Sequence, residues 1–245
     1  MYFIITRPSI DAQNQAAQLS FLKHNILFEP MLEIRQLDIQ YHLAQINLEE
    51  FDGMIFTSSN GVRAVENLTR LHDKLAFVIG EKTAYLAQSC GFTQVVNTGS
   101  NASALCDYLI SKKQLEKKRL IYFSGTYVTK DLKAELSNYN YQITQIMCYQ
   151  SSPVKAFSEQ FLAKLSVNFI GAISFYSQLT AESFIKLANE SNLLENLKQI
   201  EAFALSKKIA ESLSQVKWKI IHESKIADET SMVELIRQRY GKEEI

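Results

Sequence analysis

The chain has 245 residues, 47% of them hydrophobic and 21% charged, with 26 basic side chains against 26 acidic ones and a formal net charge of +0. That content excludes a disordered chain and fits one large domain or two smaller ones, each able to bury a core. The charge balance argues against a nucleic-acid or membrane-surface partner, because both are held by an overall excess of Lys and Arg.

Cys90, Cys106 and Cys148 stand far apart, with no CxxC pair and no neighbouring histidines to complete a metal set, so a reducing compartment is expected. The opening MYFIITRP has none of the marks of a secretory leader, and no apolar run reaches the roughly 18 residues of a spanning helix. A cytoplasmic protein is the expectation.

In chain order, short apolar runs rich in β-branched and aromatic residues alternate with stretches of helical periodicity. Residues 2–6 read as a buried strand, followed by a helix with Ala12, Ala16, Leu19 and Leu22 on one face. Residues 53–57 precede a helix carrying Val62, Val65, Leu68 and Leu71. Strands at 75–79 and 94–96 lead to helices from Glu81 and around Ala104, Leu105, Tyr108 and Leu109. A strand at 120–123, a helix with Leu132 and Leu136, and a strand at 142–149 follow. The pattern then restarts with strands at 172–176, 200–205 and 219–223. Such alternation predicts an α/β fold of parallel sheets covered on both faces.

The chain also repeats itself. Phe56-Thr57-Ser58 with Val62 and Val65 matches Phe175-Tyr176-Ser177 with Ala181 and Phe184. The segment 78–84 matches 204–210, and Ser103 and Leu105 match Thr230 and Met232. The opening unit through Thr6-Arg7 is echoed by the unit through Ser124-Gly125 that ends at Tyr149. The order is A, B, A′, B′. Compact domains follow from sequential pairing, or from pairing A with B′ while B and A′ form the second domain; the residues alone leave both open.

In parallel sheets ligands bind beyond the carboxyl ends of the strands, near helix N-termini. The loops there are small and hydroxylated, as in Thr57-Ser58-Ser59-Asn60-Gly61, Thr98-Gly99-Ser100-Asn101-Ala102-Ser103 and Glu229-Thr230-Ser231. Taken singly, such residues read as N-caps, and Ser231 with Glu234 has capping-box spacing. Their recurrence in both halves suits an anionic ligand with several carboxylates. Of the nearby cations Arg7, Arg63, Lys82, Lys130, Lys207 and Lys208, Arg7 stands out because it directly ends a buried strand. Glycine-rich phosphate loops, HExxH and GxSxG are missing, and His24, His42, His72 and His222 are scattered. An enzyme built this way works mainly by holding a reactive substrate in one shape.

At these loops the chain resembles uroporphyrinogen-III synthase. The residues that carry the resemblance are Ile5-Thr6-Arg7-Pro8, Phe56 to Val62, Val78 to Ala84, the tyrosine of Cys148-Tyr149, Phe175-Tyr176-Ser177 and Ala204 to Ala210, in order along the whole chain. The resemblance implies two α/β lobes joined by a two-stranded connector: residues 1–35 and 154–245 form one lobe, 51–148 the other, and 36–50 with 149–153 the connector, with a cleft between the lobes. It implies closure of the linear tetrapyrrole hydroxymethylbilane to uroporphyrinogen III, with loss of water and inversion of the last pyrrole ring. No cofactor is implied, metal or organic, and the expected partner is the polycarboxylate substrate; the lack of an obvious apolar surface helix makes a monomer the expectation.

Tyr149 matches the family's tyrosine at the end of the strand entering the connector and is the expected proton donor. The residues expected to bind substrate are Arg7, Thr57, Ser58, Ser59, Gly80, Lys82, Thr83, Ser103, Gly125, Ser177, Ser206, Lys207 and Thr230. Departures fall in the second repeat, where Ser206 replaces the counterpart of Gly80 and Ile209 that of Thr83. Ser206 and Lys207 are there expected to meet carboxylates through their side chains. Asn25 takes a turn position that calls for a left-handed residue. A two-lobed module that binds a small anionic metabolite without catalysis is the alternative reading.

Overall fold

A computed structural model describes residues 1–8, 15–22, 25–113, 117–128 and 130–241. The chain divides into two compact units, Met1–Glu33 with Ser152–Ile245, and Ile34–Ser151, so it passes between them at 33–34 and again at 151–152.

The first unit is a five-stranded sheet of β1 (Tyr2–Ile5), β2 (Asn25–Phe28), β9 (Ile170–Phe175), β10 (Glu201–Ala204) and β11 (Ile220–Glu223), in the order β11-β10-β9-β1-β2. All four pairings are parallel. The second is a sheet of β3 (Leu32–Gln36), β4 (Gly53–Phe56), β5 (Leu75–Val78), β6 (Gln94–Asn97), β7 (Lys118–Gly125) and β8 (Tyr141–Pro153), in the order β3-β8-β7-β4-β5-β6. The pairs β7/β8, β4/β7, β4/β5 and β5/β6 are parallel. Leaving β3 aside, β8-β7-β4-β5-β6 and β2-β1-β9-β10-β11 are the same order under the internal repeat.

Burial follows position in the sheet. Every residue of the central strands β4 and β9 is buried, whereas the edge strands β6 and β11 are exposed at both ends. In the first unit Ile4 packs with Phe161, Phe175 and Phe184 on one face, and Phe3 and Ile5 pack with Phe203, Met232 and Ile236 on the other. The repeat persists in the packing: Phe92 meets Phe56 edge-on at 5.6 Å, and Trp218 meets Phe175, the counterpart of Phe56, edge-on at 5.8 Å.

Several local expectations change. The helix after β4 is only Ser59–Arg63; successive tight turns and a 3-10 turn at Thr69–Leu71 then bury Val65 and Leu71. β8 runs on to Pro153. The cap of the last helix, Glu229–Tyr240, is Asp228, whose carboxylate accepts from the Ser231 N–H at 2.7 Å, so Ser231 lies inside the first turn. Asn25 begins β2; the left-handed asparagines among the described residues are Asn140, Asn168 and Asn192. Residues 36–50 contain the helix Gln40–Ala44 and give Ile39, Leu43 and Leu48 to the second unit's core, because their apolar side chains have that face to cover. Ala12 and His24 lie outside the described residues.

Candidate active site

The switch points of the two sheets are β1/β9 and β4/β7, where the strand order reverses and neighbouring connections leave in opposite directions. In the second unit Thr57 and Ser58, just past the carboxyl end of β4, come together with Tyr122 and Gly125 of β7 and Tyr149 of β8. The Thr57 hydroxyl lies 2.9 Å from the buried Tyr122 phenol. Ser58 accepts from the Asn60 N–H at 3.2 Å and so caps the helix Ser59–Arg63.

Tyr149 is buried, and Gly125 is its partner across the ladder. A Cβ built on Gly125 would stand 2.8 to 3.1 Å from three atoms of the tyrosine, the phenol oxygen included, so the ring lies directly on the glycine. Burial pushes the Tyr149 phenol above its ordinary pKa, against the opposing pull of a hydrogen bond with the Ser58 side chain. Burial likewise raises Tyr122 and takes the neighbouring Cys148 thiol up to about 12. All three stay protonated at neutral pH. The arrangement can donate a proton from a desolvated phenol.

The other predicted residues of this unit divide. Ser59 and Thr83 are buried with their hydroxyls 3.5 Å apart, between the helices Ser59–Arg63 and Glu81–Ser89. Gly80, at φ 81°, needs the left-handed freedom of glycine, and its N–H is taken by the Gly99 carbonyl at 2.8 Å. Lys82 follows in the first turn, half-buried. Ser103 is exposed in the helix Ala102–Ser111, whose cap is Asn101.

In the first unit Arg7, two residues past the end of β1, lies with its guanidinium carbon 4.4 Å from the centre of the Tyr176 ring. Its Nη1 is 3.0 Å from the Glu229 carboxylate. Gln15 donates to the Tyr176 hydroxyl, and burial holds that phenol well above its ordinary pKa. Ser177 caps the helix Gln178–Glu190 through the Thr180 N–H at 3.1 Å. Ser206 precedes the helix Lys207–Leu213 without a side-chain cap bond, and Lys207 and Thr230 are exposed in the first turns of their helices.

Tyr122, Gln15 and Glu229 carry no signal of their own in the sequence, and Tyr176 enters there only as part of a motif. The repeat carried a signal for Tyr176, which stands where the first copy has Thr57. No group of three or more His, Cys, Asp or Glu among the described residues is placed to hold a metal ion.

The family model for uroporphyrinogen-III synthase HemD matches residues 14–234. The chain belongs to this family. Family membership makes it a lyase-type enzyme of tetrapyrrole synthesis, in the haem pathway. Among solved structures it is similar to uroporphyrinogen-III synthetase from Helicobacter pylori, with TM-score 0.63 at 16% identity over 97% of this chain and 99% of that one. It is similar also to a mutant uroporphyrinogen III synthase from the extremely thermophilic bacterium Thermus thermophilus, with TM-score 0.60 at 16% identity over 99% of this chain and 100% of that one. At such identity these likenesses establish the two-lobed fold. No curated protein matches the sequence. Among the described residues no helix is long and apolar enough to cross a membrane.

Proposed function

We propose that this chain acts as a hydro-lyase on hydroxymethylbilane, with Tyr149 as its general acid. The observation that carries the reading is the buried Tyr149 phenol, seated on Gly125 at the carboxyl ends of the switch-point strands of a chain of this family. A phenol has a reference pKa of about 10, and burial moves this one further up, so the proton is in place across the neutral range.

Tyr149 gives its proton to the departing terminal hydroxyl, which leaves as water. The electron-rich pyrrole stabilises the cation that remains. Attack at the substituted carbon of the last ring gives a spiro intermediate, fragmentation and re-closure invert that ring, and the proton the re-closed ring sheds as its aromaticity returns goes back to the Tyr149 phenolate. The linear substrate also closes unaided to the uninverted isomer, so the protein gains its product by controlling conformation and timing.

Arg7 is the charged contact for substrate carboxylates in this reading, with the hydroxyls and amides around Thr57, Ser58, Ser177, Ser206 and Thr230 as neutral ones and Lys207 as a surface cation. Ser59 and Thr83 act by fixing two helices against each other. The protein works as a monomer in the cytoplasm, without a cofactor.

The experiment supplies hydroxymethylbilane, generated in place, to the purified protein and separates the oxidised products. Predominant isomer III is expected. Isomer I at the rate seen without protein, from a folded sample, would overturn the reading.

A further inference from the structure

Tyr149 owes its position to two features of the backbone. Side chains along a strand alternate between faces, and β8 obeys this as far as Cys148: Ile143 packs on one face of the sheet with Leu105 and Tyr122, and Ile146 and Cys148 pack on the other with Phe56 and Phe123. Tyr149 ought to return to the first face. It packs instead on the same face as Cys148.

The ladder explains why. Ser124 pairs with Met147 but Gly125 pairs with Tyr149, so Cys148 is one extra residue on β8, a bulge. Hydrogen bonds fix the chain around it. The Cys148 thiol donates to the Ser124 carbonyl at 3.3 Å, and the Cys148 carbonyl accepts from the Leu37 N–H at 2.9 Å. The Tyr149 carbonyl accepts from the Thr126 N–H at 3.0 Å. Ser124 is held by the Gln145 amide at 2.8 Å.

The bulge turns the ring over; the glycine receives it. Gly125 has no positive φ to require glycine, and the nearest heavy atoms around it belong to the Tyr149 ring and hydroxyl. We infer that Gly125 is a positioning residue: together with the bulge at Cys148 it fixes the Tyr149 phenol, and it is glycine because any side chain there would displace that phenol. The inference rests on the reading of Tyr149 as the proton donor.

The test is a cycle of Gly125→Ala and Tyr149→Phe, with kcat, KM and the ratio of isomers III and I measured for each. Gly125→Ala is expected to lower kcat by ten- to about a hundredfold, the scale of a displacement near 1 Å, and to leave KM within about twofold. In the Tyr149→Phe background, where no hydroxyl remains to be misplaced, the same substitution is expected to change kcat by less than about twofold. Wild-type kcat in Gly125→Ala, or an equal loss in both backgrounds, would overturn the inference. A variant unable to fold would overturn it too, since the atoms that must yield are the free end of a side chain. If Tyr149→Phe alone keeps full activity, it is the proton-donor reading that fails, and the two failures are told apart.

Discussion

The Arg7 guanidinium stacks on the Tyr176 ring, 4.4 Å from its centre. The two residues lie far apart in the chain and meet because β1 and β9 are neighbours in the first sheet. The Glu229 carboxylate lies 3.0 Å from Nη1. An arginine held against a ring and a carboxylate has little rotamer freedom left to lose.

Arg7→Ala is therefore expected to weaken substrate binding while leaving the reacting groups intact. KM should rise about tenfold or more, the size of one lost hydrogen bond to a charged group, with kcat changed far less. Steady-state kinetics decide it, and an unchanged KM would remove Arg7 from the binding surface.

Much of this was legible beforehand and some was not, for reasons that can be located. The apolar runs marked the strands because a buried parallel strand needs apolar residues on both faces, and Phe56 and Phe175 announced the two copies of the repeat. The bulge at Cys148 leaves no trace in the sequence, since one extra residue in an apolar strand changes no pattern a reader can see. Tyr122 looked like any strand aromatic; only the 2.9 Å approach of Thr57 distinguishes it. Glu229 is one of many acids near a helix start until the fold sets it against Arg7.

Lys113 adopts φ 46° just past the helix Ala102–Ser111, donating its N–H to the Ile110 carbonyl at 3.1 Å. This is the left-handed position after a helix that glycine fills without steric cost. A left-handed non-glycine residue is disfavoured by about 1–2 kcal/mol, and glycine's extra freedom in the unfolded chain returns part of that. Lys113→Gly is expected to stabilise the protein by roughly 0.5–1 kcal/mol. Urea unfolding with an unchanged slope and a higher midpoint would show it; a lower midpoint would refute it.

Phe184 is fully buried and touches Phe157, Phe161, Phe175 and Trp218 ring to ring. Five aromatic rings meeting at one point cannot close over the space that a missing ring leaves. Phe184→Ala should cost about 3–5 kcal/mol, read from chemical denaturation, whereas Phe184→Leu should recover most of it.

The carboxylate of Glu201 is buried in β10 and faces basic side chains from the elements packed against it. Arg239 donates to both oxygens at 2.8 and 2.7 Å, His222 lies 2.9 Å away, and Lys219 lies 3.4 Å away. The Arg239 hydrogen bonds, and after them His222, hold the acid at about 2, below its ordinary 4.5. A depressed acid stabilises the fold fully above its unfolded pKa, and that contribution is lost as pH falls from about 4.5 towards about 2. Because Arg239 belongs to the last helix and His222 to β11, the loss loosens both from β10. Glu201→Gln is therefore expected to lower the melting temperature at pH 7 by roughly 5–10 °C. The gap between variant and parent should then narrow as the pH is taken down through 4, because protonation does to the parent what the substitution did to the variant. A gap that stays constant between pH 7 and pH 3 would mean that the carboxylate's charge contributes nothing to holding the last helix.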